Sequence, residues 1–216
     1  MFKKLAHGLA IGIATAAVFS VILALGLFRN WQGAASDKIF QTRPVRGDIV
    51  IVAIDNASIQ KIGRWPWDRK VFADALAKIG KGKPSAVGID VAFLEPQNPE
   101  SDGALAVAIT DLGKVTLAAE AEKGRVLAPI PPLASKARIG MANINPDEDG
   151  VTRKVPIKTV AEDQKTYYHF AIETLNSYYE SSSVSPNKVE KIPADERFIR
   201  VNYAGSPGSF TRYSFC

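Results

Sequence analysis

Residues Leu5–Phe28, "LAHGLAIGIATAAVFSVILALGLF", hold a single ionisable group, His7, near their start. A bilayer span needs roughly 20 apolar residues, whereas the apolar core of a cleaved signal peptide runs to about 7–15. The run therefore predicts a retained membrane anchor. Lys3 and Lys4 precede it and Arg29 alone follows closely, which by the positive-inside tendency keeps the N-terminus cytoplasmic and exports what lies beyond Asn30. The expected division is 1–29, a cytoplasmic tip and transmembrane helix, and 30–216, an extracytoplasmic domain. The expected location is a cell membrane, crossed once by this chain.

The formal charge of +5 invites a nucleic-acid reading. Lys3, Lys4 and Arg29 flank the anchor; without them 24 basic side chains face 22 acidic ones, a net of +2. That is a mixed surface without the one-face basic cluster that phosphate binding requires, so no nucleic-acid partner is expected. Cys216 is the only cysteine, which removes a disulfide framework, a CxxC metal site and a Cys–His pair. The domain must be held by its own core, and its length is enough for one.

Ile49–Ile54 is a continuous apolar run, too short for a helix, and suits a central parallel strand covered on both faces. Phe72, Leu76 and Ile79 then recur at helical spacing, with Asp68 placed to cap that helix and Gly80 and Gly82 to end it. Ala86–Phe93 reads as a second buried strand, Gly103–Leu112 as a helix and Val115–Ala119 as a third strand. This β-α-β-α-β order predicts an α/β domain, its parallel-core sheet sandwiched by helices on both faces. The second half is mixed. Ile139–Ile144 and Val151–Val160 read as strands joined by the turn "NPDEDG", Tyr168–Tyr179 as a helix, and Phe198–Tyr203 as a closing strand.

In such a sheet ligands gather outside the carboxyl ends of the strands. Asp55 follows the first strand, Asp90 lies within the second, and Glu95 and Asp102 stand in the loop beyond. These carboxylates fit a divalent cation or an acid/base pair; equally, Asp55 and Asp102 fit turn caps. An acid inside a buried strand needs a partner, and Arg69 or Arg153 would supply one for Asp90. Trp65, Pro66 and Trp67 place two rigid aromatics beside Arg69, either as a ligand-facing wall or as a lid over the first β-α turn. "NPDEDG" resembles a calcium loop only superficially, because its twelfth position is Pro156; a hairpin turn with Gly150 at positive φ fits better. His169 has no nucleophile elbow to serve and reads as a packing residue. No Gly-rich phosphate loop follows any strand. No cofactor is expected, and the chain itself is not expected to be an enzyme.

"DKIFQTRP", "DIVIVAIDNASIQKIGRWPWDRKVFADAL", "AVGIDVAFLEP", "SDGALAVAI", "IGMANINPDEDGVTRKVP" and "FIRVNYAGSPGSFTRYSF" occur in register, and in that order the chain resembles the CHASE2 domain of bacterial signalling receptors. The resemblance spans about residues 37–215. It implies an extracytoplasmic module that senses an unidentified small ligand, anchored by its first helix. It also implies further membrane helices and a cytoplasmic cyclase or kinase output domain, before which the chain stops at Cys216. Candidate ligand-binding residues are Asp55, Trp65, Trp67, Arg69, Asp90, Glu95, Asp102 and Arg153. Transmission through single helices calls for at least two copies, so a homodimer is expected. Two other readings stand beside it: an exported metal-dependent hydrolase built on Asp55, Asp90 and Glu95, and a module that docks other envelope proteins through the second half of the chain.

Overall fold

The structure is a computed structural model that describes residues 2–26, 37, 43–162, 164–181 and 197–216. Helix α1 (Phe2–Ala24) has a mean hydropathy of 2.0 and no residue buried against the rest of the chain, so it is long and apolar enough to cross a membrane. The remaining elements form a mixed α/β domain.

Its centre is a parallel sheet of β2 (Val87–Ile89), β3 (Val115–Glu122) and β5 (Arg138–Met141), with β3 in the middle. The far end of β3 turns back through Lys123 and Gly124, both at positive φ, into the short antiparallel β4 (Arg125–Leu127). Asn143 prolongs β5 by side chain alone: its amide oxygen accepts from Ala121 N–H and its Nδ2 donates to Ala121 O.

Alternation along β3 assigns each face of the sheet. Val115 and Leu117 point into the main core with Phe72, Leu76, Phe93, Leu105, Ile109 and Leu133. These residues come from α3 (Arg69–Gly80), α4 (Pro99–Leu112), α5 (Pro131–Ala134) and the β2–α4 loop. The opposite face is nearly smooth, with Gly88, Thr116 and Gly140, and α6 (Phe170–Ser181) lies on it through Phe170, Thr174 and Ser177. Helices therefore cover both faces. Their ends follow their sequence signals: Asp68 accepts from Lys70 N–H at the start of α3, Asn98 accepts from Glu100 N–H before Pro99 at the start of α4, and Gly113 closes α4 at φ 70°.

Three expectations are corrected. The first strand, β1 (Val50–Ala53), is not covered on both faces: Val50, Ile51 and Val52 are 41–51% exposed. It pairs not with β2 but with β10 (Thr211–Ser214), in parallel, as a separate two-stranded sheet. "NPDEDG" joins no hairpin, because β5 pairs with β3 while β6 (Lys154–Pro156) pairs with β9 (Phe198–Arg200). Gly150 is at positive φ there, and Val151–Val160 breaks at buried Ile157 into β6 and β7 (Lys158–Val160), the latter paired with β8 (Thr166–Tyr168). Tyr168 thus belongs to a strand, not to the helix.

Candidate functional site

Asp55 stands where β1 gives way to α2 (Asn56–Ile62) and is the N-cap of that helix. Its Oδ1 accepts from Ser58 N–H at 3.0 Å, from Ser58 Oγ at 2.6 Å and from Ser214 Oγ at 2.8 Å. The Ser214 bond ties the cap to β10, a strand 159 residues away in sequence. Donation by Ser58, then by Ser214, holds the Asp55 carboxyl down at about 2. In the unfolded chain it returns toward about 3.9. A folded value below the unfolded one adds stability that is full above the unfolded pKa and vanishes as pH falls through the folded one. Asp55→Ala should therefore lower the unfolding midpoint at pH 7, and the gap to the parent chain should close between about pH 4 and pH 2. Denaturant titrations at several pH values would show it, and a gap that persists at pH 2 would contradict the assignment.

Trp67 is 3% exposed and its Nε1–H donates to Gly63 O at 2.8 Å. Its ring packs against Trp65, Phe72 and Phe215 at centroid distances of 5.2–6.2 Å. Trp65, joined to Pro66 by a cis bond, packs edge-on against Trp67 and Phe72 yet stays 40% exposed. The string thus caps the core with one ring and leaves the other in solvent.

Arg69 stacks on Phe93, its Cζ 4.5 Å from the ring centroid. It lies 3.5 Å from Asp102, and both side chains are almost fully buried. Its Nη2 donates to Glu95 O, its backbone N–H donates to Gln97 Oε1, and Asp102 Oδ2 accepts from Gln97 N–H. Burial pushes the guanidinium down while Asp102 opposes it. Asp102 is not in the loop: it sits in the first turn of α4. Arg69, Asp102 and Gln97 together clamp the starts of α3 and α4.

Asp90 is corrected as well. It lies one residue past β2, is exposed, and pairs with neither Arg69 nor Arg153. Burial pushes the pKa of His169 down, and the negative charge of Asp90 opposes that shift. His169 Nδ1 accepts from Ala171 N–H, its Nε2 is buried without a hydrogen-bond partner, and its backbone bridges Met141 at the carboxyl end of β5. Glu95 is exposed; its carbonyl, not its carboxylate, meets Arg69. Arg153 is held by Asp37, Asp147 and Asp149 at 2.6, 3.0 and 2.7 Å. These carboxylates raise the arginine, and it in turn holds Asp149 at about 2 and lowers Asp37.

The eight expected residues thus fall into separate groups. Asp55 caps, Trp67 packs, Arg69 and Asp102 clamp two helices, and Arg153 gathers three acids. Trp65, Asp90 and Glu95 remain open to solvent. Among the described residues no group of three His, Cys, Asp or Glu stands close enough to hold a metal ion, so Asp55, Asp90 and Glu95 do not make the centre a metal hydrolase needs. A cavity of about 410 Å³ lies at the amino ends of β3 and β5, lined by Lys114, Lys136 and Arg138. Three helix C-termini meet there, and basic side chains at such ends need no further explanation.

A mixed α/β domain behind one N-terminal helix long and apolar enough to cross a membrane defines the class. The chain belongs to the CHASE2 domain family, whose model matches residues 13–216, from the middle of α1 to the last residue. CHASE2 is an extracellular sensor domain family of signalling receptors and is not catalytic. No curated protein and no solved structure matches the chain.

Proposed function

We propose that this chain is the ligand-sensing part of a bacterial transmembrane receptor, held in the cell membrane by α1 with its α/β domain outside the cytoplasm. The observation that carries the reading is the single family match that runs through both the anchor and the domain. The ligand is a small molecule recognised beyond the carboxyl end of β2, where Asp90 and Glu95 stay exposed while neighbouring polar groups are committed to structure. Ligand binding shifts the population of two domain states that differ in affinity, and a pair of chains passes that shift to a cytoplasmic output domain.

Thermal unfolding of the full chain in detergent micelles, against a panel of divalent cations and small metabolites, tests this. A ligand at 100 times its Kd stabilises by about 2.7 kcal/mol. The expected result is a shift with at least one compound that is lost in Asp90→Ala, whose exposed side chain can be removed without unfolding the domain. A panel that leaves the transition unmoved would count against a small ligand. It would favour a docking module instead, for which the exposed apolar strand β1 is the observation in hand.

A further inference from the structure

Helices α3 and α4 lie side by side, their starts joined by the Arg69–Asp102 clamp and Gly80 meeting Leu112 at their ends. Their solvent side carries a groove of about 650 Å³. Ala73, Ala77 and Gly80 line it from α3, and Ala104, Val107 and Ala108 from α4. An outward helix face ordinarily carries charged residues, yet Val107 is 60% exposed here.

Small residues alone do not identify an occupant; the charges do. Asp74 and Lys81 border the groove on the α3 side, seven residues apart. Lys81 follows Gly80 with helical backbone angles, so the two lie two turns apart on one face, about 10.5 Å, with Ala77 between them. Neither makes an ion pair among the described residues. Lys78 is exposed between them but does not line the groove. The groove edge itself therefore carries an acid at one end and a base at the other, which is self-complementary under a two-fold axis. With the axis at Ala77 and the helices antiparallel, each Asp74 faces the Lys81 of the other copy, twice over. Ala77 and Gly80 let the backbones approach closely. Asp111, at the Lys81 end on α4, leaves each groove with a net charge of −1, so the competing occupant is a basic helix of another protein.

We propose that the α3–α4 groove is the contact surface between two copies of this chain, packed antiparallel about a two-fold axis at Ala77. The proposal names the dimer surface of the receptor reading above and rests on it. A face about 18 Å long is smaller than a standard interface of about 800 Å² per partner. Two anchored chains meet in one membrane plane, however, and tethering raises their effective concentration.

The test uses the full chain in membranes, with Cys216→Ser removing the native thiol. Ala77→Cys in that background should give an oxidative disulfide dimer in at least about tenfold higher yield than Lys158→Cys, an exposed position on β7. Adding Asp74→Lys should cut the yield about tenfold, and adding Lys81→Asp to that variant should restore it. Restoration by a second charge reversal is a result that a change in folding alone would not give. Equal yields at the two cysteine positions, or a loss that Lys81→Asp does not restore, would overturn the surface. So would an adduct whose mass is not twice that of the chain. Light scattering of the parent chain in micelles separates the two claims: a dimer without the Ala77→Cys disulfide refutes this surface and leaves the paired receptor standing, whereas a monomer refutes both.

Discussion

Asp102→Ala is expected to destabilise the domain by about 3–5 kcal/mol, the usual result of stripping one partner from a buried ion pair. Arg69 is 8% exposed and Asp102 5%, so neither charge can turn to water when the other is gone. The substitution leaves the buried guanidinium with Glu95 O as its hydrogen-bond acceptor and removes the acceptor of Gln97 N–H. Gln97 also receives Arg69 N–H and reaches toward Trp67 O, so damage at Asp102 spreads to the tryptophan loop. Urea unfolding of the full chain in micelles, followed by tryptophan fluorescence, reads the loss. The double variant Arg69→Met with Asp102→Leu distinguishes a clamp made of charge from one made of shape. It removes both charges, keeps an unbranched stem over Phe93 and fills the volume, and it should recover most of the stability. A double variant as unstable as the single one would mean that the polar network with Gln97, not the pairing of charges, joins the two helices.

The clamp also shows where reading the sequence stops. Asp102 was visible as an acid near the carboxyl end of a strand, and so was Asp90, yet their environments are opposite. Asp102 lies one turn into a helix that begins at Pro99, earlier than the apolar spacing from Gly103 suggests, because Asn98 and Pro99 start a helix without any apolar residue. Asp90 looked buried because "AVGIDVAF" is apolar throughout, but pairing ends at Ile89. The run Ile49–Ile54 misled in the same way: continuous apolarity marks a strand, but its cover depends on partners that local composition does not encode. Its partner β10 lay hidden in "TRYS", which has no apolar alternation to announce it. What was legible had local causes. The caps Asp68 and Asp55, the helix end at Gly80, the positive φ at Gly150 and the long apolar helix α1 each follow from local residue types in one short context.

Gly140→Ala is the second large effect, expected to cost about 3 kcal/mol, the upper end of the ordinary range for overpacking. The backbone at Gly140 needs no positive φ, so conformational freedom is not the reason for glycine here; space is. A Cβ there would stand 2.5 Å from the Cα of Phe170 and 3.0 Å from its backbone nitrogen. Those are backbone atoms of the first residue of α6, so relief requires the helix to lift from the sheet. Gly88 gives the internal comparison. Its Cβ would meet the tip of the Phe170 ring at 2.9 Å and Thr174 Oγ1 at 3.1 Å, both ends of side chains that can swing aside, and Gly88→Ala should cost about 1 kcal/mol. Lifting α6 would also strain the Thr116–Ser177 contact and the ion pair of Arg138 with Glu173, which seat the same helix further along. The loss should therefore appear along the whole of α6 as faster amide hydrogen exchange in Gly140→Ala, with little change in α3 and α4 on the far face. Equal costs at the two glycines, or faster exchange confined to α3 and α4, would show that close approach of α6 to the sheet is not what these positions provide.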